Sequence, residues 1–183
     1  MWICTYSGRQ FDPFNLKPDD IQIEDIAHAL ALTCRFGGHV KSMYSVAQHC
    51  VIGALELEKT VGKGAAKVFL LHDASEAYLT DLARPFKMES KLGEHYREWE
   101  YKLQQAIYNH YGVSELLWHD EIKRMDNCLC ITEKRDLLVN SKYQVWEGDW
   151  PDPLPYTIVP WTWEEAEYVY YETFNRLFKN ENN

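Results

Sequence analysis

The sequence predicts an all-α domain with a short extended arm at its N-terminal end. Apolar residues recur at helical spacing through most of the chain, and two capping-box patterns mark places where helices begin. Strand-like alternation is seen in residues 2–18. Because 46% of the 183 residues are hydrophobic, we expect one domain over residues 1–183, with its core at about 20–140 and a C-terminal loop and helix at 143–180.

The first half of the chain contains the arm and three helical segments. The arm is rich in aromatic residues, glycine and proline. A helix-prone stretch begins at Asp19 and ends near Gly38. The capping box at 45–48 predicts a helix over residues 46–59. The next helix, expected at 65–77, is strongly apolar and contains the sequence HDASE.

Two longer helices are expected in the second half of the chain. Arg84 and Pro85 are expected to end the short segment after the HDASE helix, because the residue before a proline avoids the helical conformation. An amphipathic helix is predicted over residues 94–111, with Gly112 as its C-terminal cap, and another over residues 120–139.

The C-terminal part combines an irregular loop with a last helix. Residues 143–161 hold four prolines and three tryptophans, so we expect a loop that packs on the body of the protein or on a neighbouring subunit. A second capping box at 162–165 predicts a helix that ends at about Phe178. One domain of this size is not expected to bury all the aromatic side chains of this part, so a homo-oligomer, at least a dimer, is predicted. These aromatic residues are Trp146, Trp150, Trp161, Trp163, Tyr168, Tyr170, Tyr171 and Phe174.

The charge balance limits the classes of partner. The chain has 28 acidic and 19 basic residues and a net charge of -9, and such a surface repels a polymeric nucleic acid but not a small phosphate ligand held by local cations. No apolar run approaches the ~20 residues of a membrane span, and no signal-peptide pattern is present. An odd count of five cysteines without a CxxC pair indicates reduced thiols, so we expect a cytoplasmic protein (in the host cytoplasm if it is viral).

The residues most informative about function are His72, Asp73, Glu76 and Asp81. These polar groups interrupt one of the most apolar segments of the chain, where a histidine and a carboxylate are costly to bury unless they pair or bind a cation. Glu76 lies one helical turn after His72, so it faces the same site without having to be a ligand.

Two further candidate ligands lie on other predicted helices. His49 and Asp126 each fall on an apolar helix face, although a lone histidine there is more often a core residue and a lone aspartate more often a surface charge. Together with His72 and Asp73 they form a set of two imidazoles and two carboxylates. Such a set suits one divalent transition metal with open positions for water and substrate.

The motif around His72 resembles that of the HD-domain metal-dependent phosphohydrolases. The similarity is closest to their small nucleotidase branch, which includes bacterial 5′-deoxynucleotidases and phage dATP triphosphohydrolases. It covers about residues 20–140 and implies an HD-domain helical bundle. The residues that support it are His72-Asp73-Ala74-Ser75-Glu76, Thr80-Asp81, Pro85 and Lys87, with Arg35-Phe36 and Ser45-Val46-Ala47-Gln48-His49 upstream and Lys123, Asp126 and Glu133 downstream.

The resemblance implies a metal site with a proton-transfer group. Glu76 would transfer a proton in the chemical step, and Asp81 would support the site or hold the sugar. His39 is an alternative first ligand, although its loop position beside Arg35 fits a phosphate contact better. The implied ligands of one Co²⁺, Mn²⁺ or Zn²⁺ ion are His49, His72, Asp73 and Asp126.

The resemblance also implies a deoxynucleotide substrate. Phe36 would stack on the base, and Pro85 would pack against it. The first expectation is a dNTP triphosphohydrolase of the dATP type that releases deoxynucleoside and triphosphate, because the number of candidate cations favours a long phosphate chain. The alternatives are a dNMP 5′-nucleotidase that releases orthophosphate and an HD module that binds nucleotides without turnover. The implied phosphate contacts are Arg35, Lys87, Lys123 and His39.

Overall fold

The computed structural model describes residues 2–140, 146 and 148–179, and it confirms the predicted all-α architecture. Parts of the predicted segment 143–180 therefore lie outside the described residues. Within the described part of the chain, no helix combines the length and the apolar character needed to cross a bilayer. The helices are α1 (Ile23–Leu32), α2 (Val46–Thr60), α3 (Lys63–Leu71), α4 (Glu76–Leu79), α5 (Arg84–Glu89), α6 (Lys91–His110), α7 (His119–Leu137) and α8 (Trp163–Phe178).

The extended arm predicted at the N-terminal end is a small hairpin. Strand β1 (Ile3–Cys4) pairs antiparallel with strand β2 (Gln10–Phe11), and Ile3 lies opposite Phe11. The Phe11 ring is fully buried and stacks on Tyr78, with the ring centroids 3.9 Å apart. This contact fixes the arm on the helical body.

Both predicted capping boxes begin a helix. The Ser45 side chain accepts a hydrogen bond from the backbone N–H of Gln48 at the start of α2. The Thr162 side chain does the same for Glu165 at the start of α8. In each case the side chain satisfies a backbone donor that has no partner inside the helix, which fixes where the helix begins.

The continuous helix predicted over residues 65–77 is wrong. Helix α3 ends at Leu71 and α4 begins at Glu76, and tight turns connect them. The side chain of Gln104 in α6 explains the break, because it donates to the carbonyl of Leu71 and accepts from the N–H of Ser75. Backbone groups left free by the break thus find a partner on another helix.

Two other predicted boundaries are also wrong. Arg84 and Pro85 begin α5 instead of ending a segment, because a proline in the first helical turn lacks only an N–H group that the helix does not use. The stretch predicted over 19–38 is interrupted after α1, where Cys34 is extended and pairs with Ser45. This pairing closes the loop that follows Cys34.

Helix α2 packs against α1, α3, α7 and α8. Gly53 permits its close approach to α3, since a Cβ atom at this position would lie 2.1 Å from Cε1 of Phe69. The Phe69 ring in turn contacts two histidines, with centroid distances of 4.2 Å to His72 and 5.6 Å to His49. The approach of α2 to α3 therefore also sets the positions of these histidines.

The described part of the C-terminal loop packs on the body of the protein, as predicted. Leu154 and Ile158 are buried in the core. Arg135 in α7 donates to the carbonyl of Leu154, and the Gln48 side chain in α2 accepts from the N–H of Trp161. The loop is thus held by polar side chains of two helices as well as by apolar contacts.

The aromatic residues behind the predicted homo-oligomer are divided between core and surface. Tyr170 and Phe174 are buried within one chain, whereas Trp163 and Tyr168 are 39% and 67% exposed. One chain therefore buries part of the set by itself, and only the exposed side chains are available to an interface between subunits. The homo-oligomer stays a prediction.

Replacing Gly53 by alanine is expected to destabilise the protein. The new methyl group would overlap the Phe69 ring, and such overpacking costs about 1–3 kcal/mol in the free energy of unfolding, which urea denaturation measures. Gly64→Ala in α3 is the matched control and should be about as stable as the wild type. Its Cβ would lie 3.1 Å from the Trp118 side chain, and the gain in helix propensity, about 1 kcal/mol, offsets this close contact. A Gly53→Ala variant as stable as the wild type would contradict the packing of α2 on α3.

Candidate metal centre

Four of the predicted site residues converge where α2, α7 and the turn after α3 meet. Nε2 of His49 lies 3.3 Å from Nε2 of His72 and 3.3 Å from Oδ1 of Asp126. Oδ2 of Asp73 lies 3.3 Å from Nε2 of His72 and 3.9 Å from Nε2 of His49. Two ligands of one ion with bonds of about 2.1 Å lie about 3.0–3.4 Å apart. The cluster could therefore hold a metal ion.

Both histidines present the same nitrogen to the cluster. Nδ1 of His49 lies 2.6 Å from a carboxylate oxygen of Glu133, which can only accept, so Nδ1 carries the hydrogen. Nδ1 of His72 donates to the carbonyl of Phe69 at 2.7 Å. These bonds leave the two Nε2 atoms to face the cluster, which is the arrangement that histidine ligands of metal ions adopt.

Cys50 is a further potential ligand, but its chemistry fits less well. Its Sγ lies 3.9 Å from Nδ1 of His72, the nitrogen already bonded to Phe69. Burial, followed by the charge of Asp73, raises the pKa of the Cys50 thiol well above its ordinary value. Because Cys50 lies beside the nitrogen of His72 that does not face the cluster, the set of two histidines and two aspartates is the better one.

The charges of the cluster shift the protonation of its members. Burial and the charge of Arg35 lower the pKa of His49, but Glu133 and the hydrogen bond to Asp126 outweigh them and raise it to about 9. Burial tends to raise the pKa of Asp126, but His49, His72 and Arg35 hold it below its ordinary value. The metal-free cluster thus favours a protonated His49 beside an ionised Asp126.

Glu133 is a fully buried carboxylate that joins three other side chains. Oε1 accepts from the Tyr44 hydroxyl at 3.0 Å and from Nδ1 of His49 at 2.6 Å, and Oε2 accepts from Nε of Arg35 at 3.1 Å. Burial would raise the pKa of Glu133, but the charges of Arg35 and His49 keep it low. Arg35 also donates from Nη1 to Oδ2 of Asp73 at 3.4 Å, so it links Glu133 to the cluster.

Glu76 lies at the start of α4, just after the turn that contains His72 and Asp73. It is buried, and within the described structure its Oε2 atom has no hydrogen-bond partner. Burial, with the charges of Asp73 and Asp81, raises the pKa of Glu76 well above its ordinary value. The position and the raised pKa favour a carboxyl group that exchanges a proton at the site.

Two strained backbone positions adjoin the candidate site. Phe36 and Thr80 are the non-glycine residues with positive φ in the described chain, at 56° and 66°. Each lies next to a predicted site residue, Arg35 and Asp81 respectively. Such conformations cost about 1–3 kcal/mol and persist where surrounding contacts enforce them, which is typical of functional sites. At Thr80, the hydroxyl of Tyr96 donates to the carbonyl oxygen.

A pocket of about 760 Å³ adjoins the cluster at Asp126, the one cluster residue among the described residues that line it, and its volume lies within the range of small-molecule sites. Several residues predicted from the sequence line this pocket, and others do not. His39 is exposed and lines this pocket but is not part of the cluster, whereas His49 is. The predicted residues that line the pocket are Arg35, Phe36, His39, Asp81, Pro85 and Asp126.

Two predicted phosphate contacts, Lys87 and Lys123, are not among the described residues that line the pocket. Nζ of Lys87 lies 2.5 Å from Oε1 of Glu100 and forms an ion pair with it. Lys123 is exposed on α7, one turn before Asp126. Arg84, at the start of α5, lines the pocket instead and is a cation that the sequence reasoning did not select.

The sequence resemblance includes Glu133 but gives it no role in the site, and no sequence pattern placed the tryptophans at the pocket. Glu133 lies seven residues after Asp126, two turns along the same face of α7, and this spacing is the signal that could have indicated it. Trp146 and Trp150, two of the eight aromatic residues behind the predicted homo-oligomer, line the pocket, with their ring centroids 5.7 Å apart. No local pattern indicates which surface a loop residue will cover.

Comparison with known proteins identifies relatives of the chain without a described activity. The chain is 35% identical over 178 residues to the uncharacterized protein YfdR of Escherichia coli, an alignment that covers 96% of this chain and 95% of YfdR. It is also 35% identical over 122 residues to an uncharacterized protein of Rhodobacter capsulatus, covering 63% of this chain and 61% of that protein. No protein-family model matches the chain.

Metal binding is expected to strengthen as the pH rises toward 9. The pKa of His49 is about 9 without metal, so an ion must displace a proton from Nε2, and this cost disappears as the pH passes that value. Calorimetric titration with Co²⁺ in buffers of different ionisation enthalpy should show about one proton released per ion or more at pH 7.5, and fewer at pH 9. Equal affinity and no proton release across this range would contradict the role of His49 as a ligand.

Proposed function

The chain belongs to one family with the YfdR protein of Escherichia coli, and we propose that it is a metal-dependent phosphohydrolase of deoxynucleotides with an HD-domain fold. The main support is the convergence of two imidazole nitrogens and two carboxylate oxygens beside a pocket that one of the four residues, Asp126, lines. The resemblance of the HDASE segment to HD-domain phosphohydrolases is the reason for proposing phosphate-ester hydrolysis as the reaction.

The proposed cofactor is one divalent transition metal, Co²⁺, Mn²⁺ or Zn²⁺. Imidazole nitrogens suit Co²⁺ and Zn²⁺, and carboxylate oxygens suit Mn²⁺, so the mixed set of the cluster is compatible with all three. When bound, such an ion supplies a positive charge that polarises a phosphoryl oxygen and makes water more acidic. The residues that would hold it are His49, His72, Asp73 and Asp126.

Arg35 is the proposed principal phosphate contact. Its guanidinium carries five N–H groups, and its bonds to Glu133 and Asp73 use two of them. The remaining donors fit the oxygens of a phosphoryl group, on which charge develops during transfer. Arg84 and His39 line the same pocket and would add further donors to its wall.

Glu76 is the proposed proton-transfer group. In the reaction, a water oxygen bonds to the α-phosphorus, the bond from phosphorus to the 5′ oxygen breaks, and the 5′ oxygen takes up a proton. A carboxyl group with a raised pKa and an unpartnered oxygen suits this exchange. An inactive nucleotide-binding module, the third alternative, has no need for such a group.

The walls of the pocket suit a flat base. Phe36 and Pro85 lie on the wall as the resemblance implies, and Trp146 and Trp150 add two large rings. Aromatic faces stack on any base and therefore contribute affinity without choosing among bases.

The length of the phosphate chain separates the two enzymatic candidates. The release of triphosphate from a dNTP and the release of orthophosphate from a dNMP break the same type of bond. The two reactions differ only in the contacts that the β- and γ-phosphates require. The triphosphohydrolase remains the first proposal. Lys87 was one of the cations that favoured a triphosphate substrate, and it is paired with Glu100. This observation supports the 5′-nucleotidase as the second candidate.

A panel of deoxynucleotides tests the proposal. The metal-free protein and the protein loaded with Co²⁺, Mn²⁺ or Zn²⁺ are incubated with dNTPs and dNMPs, and the products are separated by ion-exchange chromatography. Triphosphate from a dNTP supports the first candidate, and orthophosphate from a dNMP supports the second. His72→Ala is the control and is expected to lose metal and activity together. Absence of hydrolysis by every loaded form would overturn the proposal.

Glu76→Gln is expected to separate chemistry from binding. The amide keeps the size of the side chain but does not exchange a proton, so kcat should fall by about 10²–10⁴ while metal content and nucleotide affinity stay near those of the wild type. Steady-state kinetics and metal analysis on one preparation measure both. An unchanged kcat would remove Glu76 from the mechanism.

A further inference from the structure

We propose that Glu133 is a positioning residue that couples the metal ion to the phosphate group, because its two oxygens hold a metal ligand and a phosphate-binding residue at the same time. The ligand is His49 and the phosphate-binding residue is Arg35. The role of Arg35 rests on the proposed function, whereas the contacts of Glu133 do not.

The geometry places three donors around one acceptor group. His49 and Tyr44 donate to Oε1 of Glu133, and Arg35 donates to Oε2, at distances between 2.6 and 3.1 Å. The carboxylate is fully buried, so water does not replace a lost partner. Each of the three side chains therefore depends on Glu133 for its orientation.

For His49, the bond from Nδ1 determines which nitrogen is free to bind metal. A hydrogen on Nδ1 leaves the Nε2 lone pair directed at His72 and Asp126. Carboxylate partners of this kind fix the ring and make it a stronger ligand, and their loss typically lowers metal affinity 10–100-fold.

For Arg35, the bond from Nε fixes the plane of the guanidinium. Arg35 and Tyr44 are the two ends of the loop that carries Phe36 and His39, and the N–H of Arg35 donates to the carbonyl of Tyr44 at 2.9 Å. Both end residues also donate to Glu133. The single carboxylate thus attaches the pocket loop to α7 and, through His49, to α2.

Glu133→Gln tests the coupling. A glutamine side chain has one acceptor oxygen and one NH₂ group, so it can accept from His49 or from Arg35 but not from both, and the bond that it keeps is weakened as well because the amide carries no negative charge. We expect the Co²⁺ affinity to fall about 10–100-fold and the visible absorption spectrum of bound Co²⁺ to change. The affinity of the Co²⁺-saturated protein for inorganic phosphate should fall about tenfold or more, because Arg35 loses its charge-assisted anchor.

Glu167→Gln is the matched control. Glu167 accepts from Nδ1 of His28 at 3.0 Å, a histidine–carboxylate pair outside the cluster. This variant should keep wild-type Co²⁺ affinity, spectrum and phosphate affinity. If Glu133→Gln also kept all three, or lost affinity for only one of the two ligands, the shared anchor would be disproved.

Tyr44→Phe keeps the test decisive if Glu133→Gln does not fold. It removes one of the three bonds that fix the orientation of the Glu133 carboxylate, so the bonds from His49 and Arg35 are expected to loosen and both affinities to fall severalfold. Unchanged affinities in a folded Tyr44→Phe protein would overturn the proposal. Both measurements use Co²⁺ and inorganic phosphate alone, so a wild type that hydrolyses no nucleotide would refute the proposed function without deciding the role of Glu133.

Discussion

The mutual compensation of buried charges is the interaction on which the rest of the structure depends. Glu133 is fully buried, and its charge is tolerated because Arg35 and His49 donate to it. Asp73 and Asp126 add further negative charge around the same histidine. Removing one member of such a group would leave the others buried without a partner, at a cost of several kcal/mol. The elements that supply these residues must therefore meet at one place.

The same group of charges explains why a cation suits the site. In the metal-free protein, the raised pKa of His49 means that a proton offsets part of the negative charge. A divalent ion would take the place of that proton and add one further positive charge. Arg35 is already bonded to Glu133 and Asp73, so on a chain with a net charge of -9 a bound ion would supply much of the attraction for phosphate.

Breaks in regular secondary structure position the residues of the cluster and of the adjoining pocket. The unwound turn between α3 and α4 presents His72 and Asp73, and Gln104 satisfies the backbone groups that the turn leaves free. The left-handed conformations of Phe36 and Thr80 accompany the loop of Arg35 and the turn of Asp81. These positions are held by contacts with other helices, which allows strain to persist where a regular helix would direct the side chains elsewhere.

The sequence by itself determined the helical class, the capped starts of α2 and α8, and the four residues of the cluster, because these depend on local hydrogen bonds, on apolar spacing and on a recognisable motif. Helix propensity did not reveal the break after Leu71, since the stabilising partner, Gln104, lies about thirty residues away on α6. The tertiary structure alone decided the partners of Glu133, the pairing of Lys87 with Glu100 and the turning of Trp146 and Trp150 toward the pocket. Ion pairs and pocket walls form between segments distant in the chain, and no local pattern specifies which of several like residues will meet.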